Sequence, residues 1–126
     1  MLDHITFGVT DFDRSVRFYD QAFAPLGVRR LFDDPSGGAR ATGYGDQRPW
    51  FWIAEASPTS GLMHVALSAS SRDQVAAFHR AGLQAGGTDN GGPGFRPQYH
   101  PSYYAVFVLD PDGHNIEAVF HDPAVS

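Results

Sequence analysis

Asp110 to Phe120, DPDGHNIEAVF, is the stretch from which the rest of the chain can be read. Asp110-Pro111-Asp112-Gly113 carries two turn signals, a proline after the first aspartate and a glycine after the second. The residues that follow alternate. Ile116, Ala118 and Phe120 fall on one face of a strand, Glu117 and Val119 on the other. A carboxylate in the middle of an apolar strand is expensive to bury unless it is paired or bound to a metal. Glu117 therefore asks for a partner, and two histidines sit in matching surroundings: His4 in LDHITFGV and His64 in LMHVALSA.

Those two settings mark an internal repeat. Leu2 to Val9 alternates, with Ile5, Phe7 and Val9 on one side and His4, Thr6 and Gly8 on the other. Thr10 or Asp11 can cap a helix over about Asp13 to Phe23, where Phe12, Val16, Tyr19 and Phe23 recur at helical spacing. Pro25 with Gly27 ends that helix. Val28 to Phe32, Ala39 to Tyr44 and Trp50 to Ala54 read as strands, the first two separated by a turn at Pro35-Ser36-Gly37-Gly38. Sixty residues after Leu2 the pattern restarts: Leu62 matches Leu2, His64 His4, Val65 Ile5, Leu67 Phe7, Asp73 Asp13 and Phe78 Phe18. Matches at one offset with the same implied elements indicate a duplication. The second helix is expected over about Arg72 to Ala81, with Gly82 near its end. Strands follow over Tyr103 to Leu109 and through Glu117. Gly86 to Ser102, GGTDNGGPGFRPQYHPS, reads as a long loop without a counterpart in the first half. Arg96, Tyr99 and His100 lie in it and Tyr103 and Tyr104 follow it, residue types that bind anionic or aromatic ligands.

The expected architecture is α+β: two paired β-α-β-β-β modules forming a curved mixed sheet with a concave cup and the helices outside. Residues 1–126 are expected to be a single domain of two modules, 1–56 and 62–122, joined by the short linker Ser57-Pro58-Thr59-Ser60-Gly61. Parity then assigns the site. If Ile5, Phe7 and Val9 face their helix, His4 faces the cup; the same reasoning puts His64 and Glu117 there. Two imidazoles and one carboxylate make a 2-His-1-carboxylate set, which leaves coordination positions open. A single strand histidine is more often structural, and a buried glutamate commonly pairs with arginine or backbone donors. It is the equivalence of the two histidines in the repeat that favours a metal. His79, His114 and His121, on a helix, in a turn and near the terminus, carry less weight.

Composition removes several classes. A hydrophobic fraction of 42% and an aromatic fraction of 13% suffice for a packed interior, and the net charge is −5 with nine scattered basic residues. That pattern lacks the basic face a nucleic-acid binder needs. No apolar run approaches the roughly 18 residues of a membrane span, and no secretory signal pattern is visible. Cysteine is absent, which excludes disulfides and thiolate metal sites. A cytoplasmic location is the expectation.

LDHITFGVTDFDRSVRFYDQAFAPLG, GLMHVALSAS and YYAVFVLDPDGHNIEAVF together resemble the vicinal oxygen chelate superfamily, the group of glyoxalases, bleomycin resistance proteins and extradiol dioxygenases. The resemblance implies a divalent metal in the cup (Zn, Fe, Mn, Ni or Co) that chelates two neighbouring oxygens of a small substrate. It implies ligands from the first and last strands of the modules, here His4, His64 and Glu117. Metal-binding glyoxalases also carry a glutamate on the last strand of module one. This chain has Trp50-Phe51-Trp52-Ile53-Ala54-Glu55 there, so Trp52 points into the cup and Glu55 has the wrong parity. The function implied is a glyoxalase- or dioxygenase-like metalloenzyme, a lyase, isomerase or dioxygenase. The alternative is a non-catalytic drug- or metabolite-binding protein of the same fold. Glu117 with Tyr103 or Tyr104 would serve catalysis; Trp50, Trp52, Arg96, Tyr99 and His100 would contact substrate. A homodimer is expected, with the cup formed within one chain or shared between two.

Overall fold

The computed structural model describes residues 1–34 and 38–125. The first half contains β1 (Ile5–Val9), α1 (Phe12–Phe23), a single 3-10 turn (Ala24–Leu26), β2 (Arg29–Asp34), β3 (Ala41–Gly45) and β4 (Pro49–Glu55). The second half repeats it with β5 (His64–Ser68), α2 (Arg72–Gln84), β6 (Thr88–Phe95), β7 (Tyr103–Leu109) and β8 (Asn115–His121). The expected turn at residues 35–37 lies outside the described residues.

Local chemistry explains the boundaries. Asp11, not Thr10, caps α1, its carboxylate accepting from the Arg14 backbone at 3.1 Å. Ser71 does the same for α2 through Gln74. That helix runs past Gly82 to Gln84, with Gly82 inside it packed on the Val108 side chain, where a Cβ would come within 3.3 Å. Gly113 closes the turn before β8 with φ of 88°, its N–H donating to the Asp110 carbonyl at 2.9 Å.

One expectation is corrected. The stretch read as a long loop contains the eight-residue strand β6, the counterpart of β2. Glycine and proline disguise it, and its pairing with β7 is interrupted between Asp89 and Gly91 and again between Gly91 and Gly94. Such a strand is tolerable at a sheet edge, where Pro93 need donate no ladder hydrogen bond.

The strands form two four-stranded sheets, in the orders β1-β4-β3-β2 and β5-β8-β7-β6. The duplication is thus exact in topology, with β1–β4 and β5–β8 parallel and the other pairs antiparallel. The two sheets are not joined: β1 and β5 are edge strands within the chain. The halves meet instead through their helices in one core, where Phe7, Phe51 and Ile53 of the first sheet share a cluster with Phe18, Phe23, Val75, Phe78, Val106 and Ile116. Burying such a side chain contributes roughly 1.5–3 kcal/mol. Because both helix-facing sides turn into this core, the opposite side of each sheet is open.

Candidate functional site on the open face of the second sheet

The parity of β8 decides what that open face carries. Ile116 and Ala118 enter the core, so Glu117 points the other way, directly opposite Phe107 on β7 and beside Ala66 on β5. Although it is on the open face, Glu117 is only 1% exposed. Its Oε1 stands 2.7 Å from His64 Nε2, and its Oε2 accepts the Tyr103 hydroxyl at 2.5 Å. Both carboxylate oxygens are engaged, which is what burial demands of an acid. Glu117 has no arginine partner among the described residues.

Neighbouring side chains fix these groups. The Tyr103 ring is held edge-on between Tyr99 and His121, with centroids 5.1 and 5.2 Å away. Burial, and then the hydrogen bond to Glu117, push the Tyr103 hydroxyl far above its ordinary pKa, so it stays a proton donor at neutral pH. The His64 ring lies 5.9 Å from the Phe107 ring and remains substantially exposed, open to an incoming group. Arg96 also lies over Phe107, its Cζ 5.4 Å from the ring centre.

The first sheet has its own open face. Thr6, Trp52, Gly43 and Phe32 lie in register across it. The Trp52 indole covers Gly43, where a Cβ would come within 2.8 Å of Trp52 Cε2, and meets Phe32 edge-on at 5.7 Å. His4 precedes β1 and is exposed, its Nδ1 2.7 Å from Asp3 Oδ1. A carboxylate on Nδ1 is the arrangement that leaves Nε2 available as a ligand.

The residues singled out in the sequence therefore separate into groups. His64, Glu117 and Tyr103 come together. His4 does not join them within the chain: among the described residues no group of three or more His, Asp or Glu could hold a metal ion. Tyr104 faces the helix layer, edge-on to Phe95 at 5.1 Å and under the Arg72 guanidinium. Trp52 lies on the first sheet's open face, while Trp50 is half-buried against the core. Tyr99 packs on Tyr103, and His100 Nδ1 is 2.8 Å from the Ser102 hydroxyl. Phe107 was missed; only knowledge of the β7–β8 register places it opposite Glu117.

His114, given little weight in the sequence as a turn residue, is the centre of a second cluster. It is 4% exposed, with Nδ1 2.8 Å from Asp110 Oδ2 and Nε2 2.6 Å from the Thr59 carbonyl. Both partners are acceptors, so the ring carries both protons. Burial alone would lower its pKa. The Thr59 and Asp110 hydrogen bonds outweigh that and raise it. Asp110 also accepts the Tyr19 hydroxyl of α1 at 2.5 Å, so this cluster ties the second half to the first helix and to the linker.

Against this geometry, comparisons with known proteins agree. The family model described as Glyoxalase/Bleomycin resistance protein/Dioxygenase superfamily matches residues 1–118. A glyoxalase/bleomycin resistance protein from Albidiferax ferrireducens is 30% identical, with 94% of this chain and 96% of that one covered and a TM-score of 0.78. A glyoxalase-related enzyme from Fulvimarina pelagi is 25% identical, covering 95% and 87%, with a TM-score of 0.70. The fosfomycin resistance protein FosX from Mesorhizobium loti, 19% identical over 94% and 90%, shares the fold with a TM-score of 0.70. No curated protein matched.

Proposed function

The chain belongs to the Glyoxalase/Bleomycin resistance protein/Dioxygenase superfamily, and from that premise we propose that it is a metal-dependent enzyme of the glyoxalase or dioxygenase type. Its substrate would be a small molecule bound through neighbouring oxygens. The observation that carries this reading is the His64–Glu117 pair, with donor atoms 2.7 Å apart, on an open sheet face. Two ligands on one tetrahedral ion at about 2.0–2.2 Å stand roughly 3.3–3.6 Å apart, so opening this hydrogen-bonded pair by under about 1 Å would admit a divalent ion such as Zn, Fe, Mn, Ni or Co. Two donors fall short of the usual three. The third we assign to His4 of a second copy. β1 and β5 are edge strands within the chain, and His4, just before β1, and His64, the first residue of β5, are equivalent in the sequence repeat. A homodimer that set β1 of one copy beside β5 of the other would bring His4 to the pair and close the cup with Trp52 and Phe32.

A bound metal would supply positive charge to polarise substrate oxygens and stabilise an oxyanion. The rest falls to this chain's own groups. Tyr103 holds Glu117 in one orientation and keeps its own proton. His64, exposed on one side, meets the substrate end of the cup. Phe107 stands opposite the buried Glu117 on β7 and beside the exposed His64 ring.

A second reading, a binding protein that sequesters a drug or metabolite without turning it over, has its own support. Both Glu117 oxygens are satisfied by His64 and Tyr103 with no ion required. Metal equilibrium dialysis separates the two. After EDTA treatment and dialysis against Mn, Co or Zn, the enzyme reading expects tight uptake that drops tenfold or more in Glu117→Gln and in His64→Ala. No uptake by the wild type removes that reading and leaves the sequestering one.

A further inference from the structure

We propose that Arg96 is an anion-recognition group built into the cup, so that the ligand class is a small molecule with a carboxylate, phosphate or phosphonate at one end. This rests on the reading of the second sheet's open face as the ligand site and adds the substrate's charge to it. The glycine-rich composition of β6, which hides the strand in the sequence, is what seats the arginine. Its side chain folds back along β6, Nη2 donating to the Gly92 carbonyl at 2.8 Å and Nη1 reaching the Phe95 carbonyl at 3.5 Å. A Cβ at position 91 would stand 3.2 Å from Nη2 and 2.9 Å from Phe107 Cδ2; one at position 94 would stand 3.1 Å from Nη1. Gly91 also has φ of 150°, which other residues rarely adopt. Glycine at both positions leaves the room that the guanidinium occupies.

The charge so placed is not neutralised. No carboxylate among the described residues pairs with Arg96, and its contacts are carbonyl oxygens and the face of Phe107. Arg72 pairs with Asp122, Arg40 with Asp13 and Glu55, and Arg30 with Asp20; Arg14, Arg17, Arg29 and Arg80 show no ion pair among the described residues either, but unlike Arg96 they are exposed to solvent. A half-buried guanidinium with free donors and no anion presents the planar fork that a carboxylate or phosphate oxygen pair fits. Its position suits the rest of the cup. Arg96 and His64 both lie within 6 Å of the Phe107 ring centre, at 5.4 and 5.9 Å. A small ligand spanning Phe107 would set its anion on Arg96 and its other end at the His64–Glu117 pair.

Phenylphosphonate and its uncharged dimethyl ester test this. Each is titrated by NMR into the EDTA-treated full chain, wild type and the variants Arg96→Gln and Arg96→Lys. The expected result is shifts centred on Phe107 and Tyr103, with the phosphonate bound at least tenfold more tightly than the ester. Arg96→Gln should lose that preference and Arg96→Lys keep part of it. Equal binding of the two compounds by the wild type overturns the proposal, as does a preference that survives Arg96→Gln or shifts that map elsewhere. Should Arg96→Gln not fold, the wild-type comparison decides. A separate zinc titration keeps the two readings distinct. Zinc uptake without charge discrimination sinks the Arg96 proposal alone; discrimination without zinc uptake sinks the metal reading alone.

Discussion

Replacing His114 with alanine should destabilise the protein more in acid than in base. His114 and Asp110 form a buried ion pair, with 4% and 0% of their side chains exposed. Breaking such a pair by removing one partner costs about 3–5 kcal/mol. The lower end is expected here. Asp110 keeps the Tyr19 hydroxyl and the backbone N–H groups of Asp112 and residue 114. The Thr59 carbonyl is left without its donor, and the space beside Phe7, whose ring centre is 4.9 Å from that of His114, is left empty. For a chain of this size, a loss of about 3 kcal/mol lowers Tm by roughly 10–15 °C. The pH dependence has a definite sign. The folded pKa of His114 is raised above its ordinary value, so its contribution is complete below about pH 6.5 and fades as pH rises through the folded value. The Tyr19 hydroxyl, which shares Asp110 with it, is pushed well up by burial and by Asp110 and keeps its proton across this range. Urea denaturation of wild type and His114→Ala at pH 6.0 and pH 8.5 should therefore show a gap that narrows with increasing pH. A gap below about 1 kcal/mol at pH 6.0, or one that widens towards pH 8.5, would refute the doubly protonated ring.

Tyr103→Phe removes the donor to Glu117 Oε2 and should cost roughly 1.5–3 kcal/mol of stability by denaturation. Under the metal reading it should also weaken metal uptake by about 10- to 100-fold in dialysis. Gly43→Ala forces a Cβ to 2.7 Å from Pro49 and 2.8 Å from the Trp52 indole. The indole should be displaced, red-shifting tryptophan emission, with Tm lowered by several degrees on the usual scale of overpacking, about 1–3 kcal/mol. Tyr104→Phe, by contrast, should leave ligand binding unchanged in the same titrations, since Tyr104 packs with Phe95 and Arg72 on the helix side.

Much of this was legible in the chain because a strand has a period of two. Once Phe7 and Ile116 are assigned to the core, His4, His64 and Glu117 must point outward; Glu117 and its neighbour His64 do lie away from the core side of the second sheet, while His4 stands just before β1 and is exposed. The repeat made the fold legible for a similar reason, since the same apolar spacing recurs sixty residues on. What failed were features carried by other residues. β6 has too few side chains to show alternation, because its glycines make room for Arg96. Phe107 gains its meaning from the strand opposite it. His114 looks like a turn residue until the turn is packed against Thr59 and Phe7. Parity also says nothing of which open face lies next to which, so the separation of His4 from the His64–Glu117 pair had no sequence signal.

That separation makes a complementation experiment the most direct test. His4→Ala and His64→Ala chains each lack one proposed ligand. Mixed one to one and allowed to exchange subunits, they form heterodimers in which one site regains His4, His64 and Glu117 and the other lacks both histidines. Neither variant alone should take up metal, and the mixture should recover about a quarter of wild-type capacity by random pairing. A mixture that recovers nothing, from variants that do exchange subunits, would contradict a site shared between two copies of the chain.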